Sequence, residues 1–149
     1  MRVDLSCLLT DLPEKDFLSR ETRRAARAAA SILGLGKDWE ISIALVGDEE
    51  ICRLNRMYRG LDCPTDVLAF PMAEAADDTL MLGDVVVSIP TARHQAETRK
   101  VPLAQELGEL VVHGILHLVG YTHDTDEDEE QMQQYSGRIM AQIAETQGT

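Results

Sequence analysis

The sequence predicts an α+β fold: a small mixed β-sheet with helices packed on it. Three observations predict this. Strand-like and helix-like periods alternate in the first half of the chain, a Val-rich strand lies mid-chain, and the remainder carries helical patterns almost throughout. The 149 residues, 44% hydrophobic and 27% charged, suit one domain over residues 1–149, large enough to bury its own core. No repeat or low-complexity linker divides them.

Residues 3–7 read as a first strand. Leu18, Thr22, Ala25, Ala29 and Ile32 then recur at three- and four-residue spacing, the mark of a helix, which Gly34 ends. Arg20, Arg23, Arg24 and Arg27 fill its remaining face and read as solvated. Trp39, Ile41, Ile43 and Leu45 alternate with Glu40, Ser42 and Ala44 in a half-buried strand that stops at Gly47. Asp48 is expected to cap a short helix reaching about Tyr58, with Glu49 and Glu50 placed favourably for its dipole. Residues 66–70, between Pro64 and Pro71, read as a short extended segment, and residues 80–89 as a longer strand with Gly83 at a bulge. Pro90 begins a polar helix through Glu97, Pro102 opens another at Leu103, and the acidic run 126–130 caps a last helix toward Ala144. These local patterns leave the order of strands in the sheet open.

Charge sets the next constraint. Fourteen Lys and Arg against 26 Asp and Glu give a net charge of −12, which argues against broad, non-specific nucleic-acid binding but permits a local basic cleft. No apolar run approaches the roughly 20 residues needed to span a bilayer, and Met1, Arg2, Val3 and Asp4 do not open a signal peptide, so a soluble cytoplasmic protein is expected. Cys7, Cys52 and Cys63 are odd in number and lack a CxxC pair, which disfavours a disulfide framework or a cysteine zinc site.

The main functional signal is the string HGILHLVGYTH, which holds three of the four histidines. Leu103, Leu107, Leu110, Val111, Leu118 and Val119 supply an apolar stripe, so His113 and His117 lie one turn apart on one side of a buried helix. Two imidazoles at i and i+4 can reach one metal ion. Gly120 can end the helix in the left-handed region without a Cβ clash, which lets the chain swing His123 back as a third ligand. Three protein ligands leave a coordination position open, the mark of a catalytic zinc site at the end of that central helix. Asp124 and Glu109 are candidates for further ligands or for groups that orient them, and each also reads as an ordinary solvated carboxylate. The HxxxHxxGxxH spacing is that of the metzincin proteases, whose general base is a Glu in the second position. Here that position is Gly114, so peptide hydrolysis is disfavoured while other metal-assisted hydrolyses stay open.

Upstream, residues 55–71 read NRMYRGLDCPTDVLAFP, residues 82–88 read LGDVVVS, and Met132 follows the histidine string. Together these resemble the YbeY family of bacterial single-strand-specific metallo-endoribonucleases. That family carries NRxYRxxDxPTDVLSFP, LGDIVIS and HGxLHLxGYDH, in that order. The resemblance extends from about Asp48 to Met140. Thr122 stands where the family usually has Asp, which affects a contact behind the ligands, and Ala69 where it often has Ser.

The resemblance implies one zinc ion per chain held by His113, His117 and His123, with Arg59 as the functional arginine near the metal. It also implies a single-stranded RNA substrate, in particular ribosomal RNA at the 3′ end of the small-subunit (16S) species. Implied partners are the small subunit and its assembly factors, with a role in ribosome quality control, and neither DNA nor a membrane is expected. Phosphodiester cleavage is compatible with the residues, since an arginine and a metal ion can stabilise charge on phosphate. No general base is assigned, and His94 reads as a surface residue. The acidic residues 74–78 and 124–130 are expected to repel RNA, and Arg53, Arg56 and Arg59 to form a narrow positive cleft beside the metal. Two other readings remain: a ribosome-assembly factor whose zinc is mainly structural, and a metal-dependent hydrolase of another substrate.

Overall fold

The computed structural model describes residues 1–72, 75–76 and 79–147. Its elements run β1 (Arg2–Cys7), α1 (Lys15–Leu33), β2 (Trp39–Val46), α2 (Asp48–Arg59), β3 (Val67–Pro71), β4 (Ala75–Ala76), β5 (Thr79–Ser88), α3 (Ile89–Arg99), α4 (Leu103–Leu118) and α5 (Asp126–Gln147). The expected elements are present, and the two-residue β4 is an addition that no pattern announces. The acidic residues of the expected run 74–78, Glu74, Asp77 and Asp78, lie outside the described residues.

The sheet order is β1-β2-β5-β3, with β4 also paired to β5. β1, β2 and β5 are parallel, whereas β3 and β4 run antiparallel to β5, so the sheet is mixed, as expected. Alternation along β5 divides the core. Val85 and Val87 belong to the main core shared with α1, α4 and α5, while Val86 joins Val46, Ile51 and Leu68 beneath α2. α2 therefore lies on the opposite face from α4. β3 is left at the sheet's edge, and that edge adjoins the histidines.

Gly83 does sit at an irregularity. The register slips from Glu40↔Met81 to Ile41↔Gly83, leaving Leu82 unmatched. Its φ is +142°, and a Cβ there would lie 2.3 Å from the Phe70 carbonyl oxygen, so only glycine lets β3 and β5 approach.

Two caps differ from expectation. Asp48 is the first residue of α2 rather than its cap, because its carboxylate accepts hydrogen bonds from Ser88 Oγ (2.5 Å) and Thr91 Oγ1 (2.6 Å), tying α2 to the start of α3. At α5 the cap is Thr125, whose Oγ1 accepts from Asp128 N–H at 3.0 Å, and the acidic residues occupy the first turn. The arginine face of α1 is also less free than its polarity suggests. Arg23 donates to the Val3 carbonyl at 3.0 Å and so clamps β1, and Arg24 pairs with Glu21.

Candidate metal centre

α4 is held by complete burial of Leu107, Val111, Ile115 and Leu116. Each such side chain contributes about 1.5–3 kcal/mol, enough to make the helix a rigid support. Between Glu106 and Leu118 the partly exposed positions are Glu109, His113 and His117, a single i, i+4, i+8 row. The row exists because the rest of the helix circumference is packed. Gly114 is part of that packing: a Cβ on it would lie 2.7 Å from Val85 Cγ1 and 3.1 Å from Val85 Cγ2.

The helix then ends as expected. Gly120 takes φ +103°, its N–H donates to the His117 carbonyl at 3.1 Å, and Tyr121 N–H donates to Leu116 at 3.0 Å. The following loop is fastened to α5 by Tyr121 against Tyr135, with ring centroids 4.9 Å apart, and the neighbouring Tyr135 helps push the Tyr121 hydroxyl pKa up. Thr122 Oγ1 donates to Asp128 at 3.4 Å, so this departure from the family pattern is engaged with α5.

The loop returns His123 to the helix. One ring nitrogen from each of His113, His117 and His123 lies within 4.8 Å of the others, and the His113 and His117 Nε2 atoms are 3.0 Å apart. Tetrahedral ligation with metal–nitrogen bonds of about 2.0–2.1 Å places such nitrogens about 3.3 Å apart. Burial is the largest cause lowering the His113 and His117 pKa values, and the other imidazoles add to it. Both rings are thereby kept neutral, with a lone pair available for a metal ion. A set of three imidazoles without a cationic side chain among them fits a transition-metal ion such as zinc.

These shifts have a measurable consequence in the metal-free protein. An imidazole with a depressed pKa binds less proton folded than unfolded, so acid favours the unfolded chain. Stability from this source is expected to be complete above the ordinary histidine pKa of 6.5 and lost as pH falls through it toward the depressed values. Melting temperatures across that window, with chelator present, should fall more steeply for the parent protein than for His113→Asn.

The surrounding charges divide differently from expectation. Glu109 continues the histidine row but is engaged by Arg99 at 2.6 Å, and the buried Glu106 pairs with the same guanidinium. Asp124 is exposed, and its charge acts on His117 without joining the nitrogen cluster. Arg53 makes a two-pronged contact with Glu50, at 2.6 and 3.1 Å, and Arg56 pairs with Asp62 at 3.1 Å. Both line a recess with Glu49 and Glu50 that contains none of the histidines. The expected narrow positive cleft of Arg53, Arg56 and Arg59 beside the metal is thus corrected, because Arg53 and Arg56 are paired with carboxylates one turn or one loop away and line a recess without the histidines. Arg59, the last residue of α2, is exposed, and its side chain has no hydrogen bond or ion pair with any described residue. His94 is exposed on α3, in a separate recess with Arg93 and Leu9.

One residue beside the centre had no assigned role. Asp66, just before β3, shares a recess of about 260 Å³ with His113, and its charge counteracts the lowering of the His113 pKa. Its carboxylate accepts from Val67 N–H at 2.7 Å and from Gln95 Nε2 at 3.2 Å, so α3 holds it in place. Asp66 stands in the string PTDVLAFP, but no local spacing links it to α4; only the position of β3 does.

Three imidazoles brought together at the sheet edge, with a carboxylate beside them, have the make-up of a metal-dependent hydrolase. A family model described as Endoribonuclease YbeY matches residues 10–144, and the chain belongs to that family. It is 40% identical over 142 residues to the Endoribonuclease YbeY of Moorella thermoacetica, covering 89% of this chain and 91% of that protein. To the Endoribonuclease YbeY of Aquifex aeolicus it is 42% identical over 123 residues, covering 83% and 81%. The solution structure of TM1509 from Thermotoga maritima superposes with a TM-score of 0.60 at 26% identity, covering 97% of this chain and 93% of that one. No helix among the described residues is long and apolar enough to cross a membrane.

Proposed function

We propose that residues 1–149 form one catalytic domain, a zinc-dependent endoribonuclease that cuts single-stranded RNA in ribosomal RNA processing. The observation that carries this reading is the convergence of the three histidine nitrogens within 4.8 Å in a member of the YbeY family. His113, His117 and His123 hold the ion, and Asp66 adds a negative potential that favours a cation there. When bound, the ion supplies Lewis acidity toward a phosphoryl oxygen and lowers the pKa of water. Of the three arginines of α2, Arg59 is the one that no described residue pairs, and it neutralises charge developing on the phosphate, Arg53 and Arg56 being already paired.

The biological setting follows from the same reading. The 3′ end of small-subunit ribosomal RNA is the substrate, the small subunit and its assembly factors are the partners, and ribosome quality control is the wider role. The cytoplasm is the compartment, and the three thiols, free of disulfides, are compatible with it.

The test is a side-by-side assay of purified protein on single-stranded RNA, duplex RNA and a peptide pool, with metal content measured by mass spectrometry. Cleavage of the single strand is expected, lost with chelator and restored by zinc. Peptide cleavage, or RNA cleavage indifferent to chelator, would overturn the reading.

A further inference from the structure

The end of α2 carries more exposed apolar surface than a solvated helix terminus needs. Met57 is 60% exposed, Tyr58 63% and Leu61 45%. Tyr58 leans on Phe70 of β3, with ring centroids 5.0 Å apart and planes at 55°. Phe70 packs on the apolar cluster beneath α2, so it is a fixed support, and Tyr58 is left with most of its surface in solvent.

The charge in this turn is equally specific. Arg53 and Arg56 are occupied by Glu50 and Asp62, while Arg59, next to Tyr58 in the chain, has no ion pair with the described residues. In a chain of net charge −12, an unpaired guanidinium beside an exposed aromatic ring matches a ligand that is anionic and also presents flat apolar faces. β3 links this place to the candidate metal centre. Asp66 stands beside His113, and Phe70 follows four residues on, about 13 Å along an extended strand.

We propose that Tyr58, backed by Phe70 and flanked by Arg59, is a stacking subsite for one unpaired RNA base, with Arg59 on an adjoining phosphate. The inference rests on the endoribonuclease reading and deepens it. Bases in a duplex are covered by their neighbours, so a platform of this kind accepts single strands and rejects paired ones.

The experiment titrates a fluorescein-labelled single-stranded RNA with the full-length protein, in chelator so that the RNA stays intact. Wild type, Tyr58→Leu and Tyr58→Trp are compared, and each is repeated on a series of RNAs carrying one abasic nucleotide at successive positions. Loss of one stacked base corresponds to roughly tenfold in affinity. Tyr58→Leu is expected to bind about that much more weakly, and Tyr58→Trp as tightly as wild type. One abasic position should weaken wild type to the level of Tyr58→Leu and leave Tyr58→Leu itself unaffected. With metal restored, the loss in Tyr58→Leu should fall on KM more than on kcat. Unchanged binding by Tyr58→Leu, an equal loss in Tyr58→Trp, or the absence of any abasic-sensitive position in wild type would overturn the proposal. The last outcome needs no variant to fold. Whether wild type cuts the intact RNA reports separately on the endoribonuclease reading.

Discussion

Replacing His117 by alanine is expected to lower metal-dependent RNA cleavage by about a thousandfold or more, while the metal-free protein melts within about 3 °C of the parent. The first number follows from losing one of three imidazoles, and with it an ion whose stabilisation of charge amounts to several kcal/mol. The second follows from position. His117 is half-buried in the last turn of α4, off the core, and alanine is a good helix former there. A shift of about 3 °C corresponds to roughly 1 kcal/mol in a chain of this size. The check pairs an RNA assay with metal analysis and thermal melts in chelator. This separates the enzyme from an assembly factor with a structural zinc, in which the ligand serves the fold. Were His117→Ala to keep its cleavage rate, or to lose rate only in step with a collapse in melting temperature, the catalytic reading of the site would be wrong.

The second large effect concerns Gly114. Its place after His113 corresponds to the general-base Glu of the metzincin spacing, so Gly114→Glu looks as if it could restore a protease. It is expected instead to give an unfolded or insoluble protein without peptidase activity. Gly114 faces the sheet, where a Cβ would meet Val85 at 2.7 Å and Val67 at 3.4 Å, and a carboxylate there would be buried without a partner. Even Gly114→Ala should destabilise. Overpacking against a stiff, β-branched residue of a central strand costs up to about 3 kcal/mol, and alanine's helix propensity returns only about 1. The net of about 2 kcal/mol corresponds to a fall of roughly 4–8 °C in melting temperature. Adding Val85→Ala to Gly114→Ala should recover part of the shortfall expected from the two single changes. An additive result, or a Gly114→Ala protein as stable as the parent, would show that α4 does not approach the sheet this closely.

Gly114 also marks the division between local and global information. From the histidine string, the missing Glu reads as a missing base. In the folded chain the position is filled by Val85, and a side chain there would not point toward the histidines at all. Arg53 and Arg56 teach the same lesson in charge. Their number suggests a positive cleft, but Glu50 and Asp62 lie within reach of each and cancel it.

Features that depend on neighbours a few residues apart are legible from the amino acids directly. The apolar stripe of α4, the i, i+4 placement of His113 and His117, the break at Gly120 and the alternation in β2 are all local geometry, so spacing alone encodes them. The family motifs carried the identity because several of them stand in one order. The tertiary structure alone decided which distant segments meet. Inserting β5 between β2 and β3 leaves β3 on the edge, brings Asp66 to His113, turns Gly114 into the sheet and sets Phe70 beneath Tyr58. That order reflects the burial of apolar surface on both faces of one sheet, a property of the whole chain that no single window of residues contains.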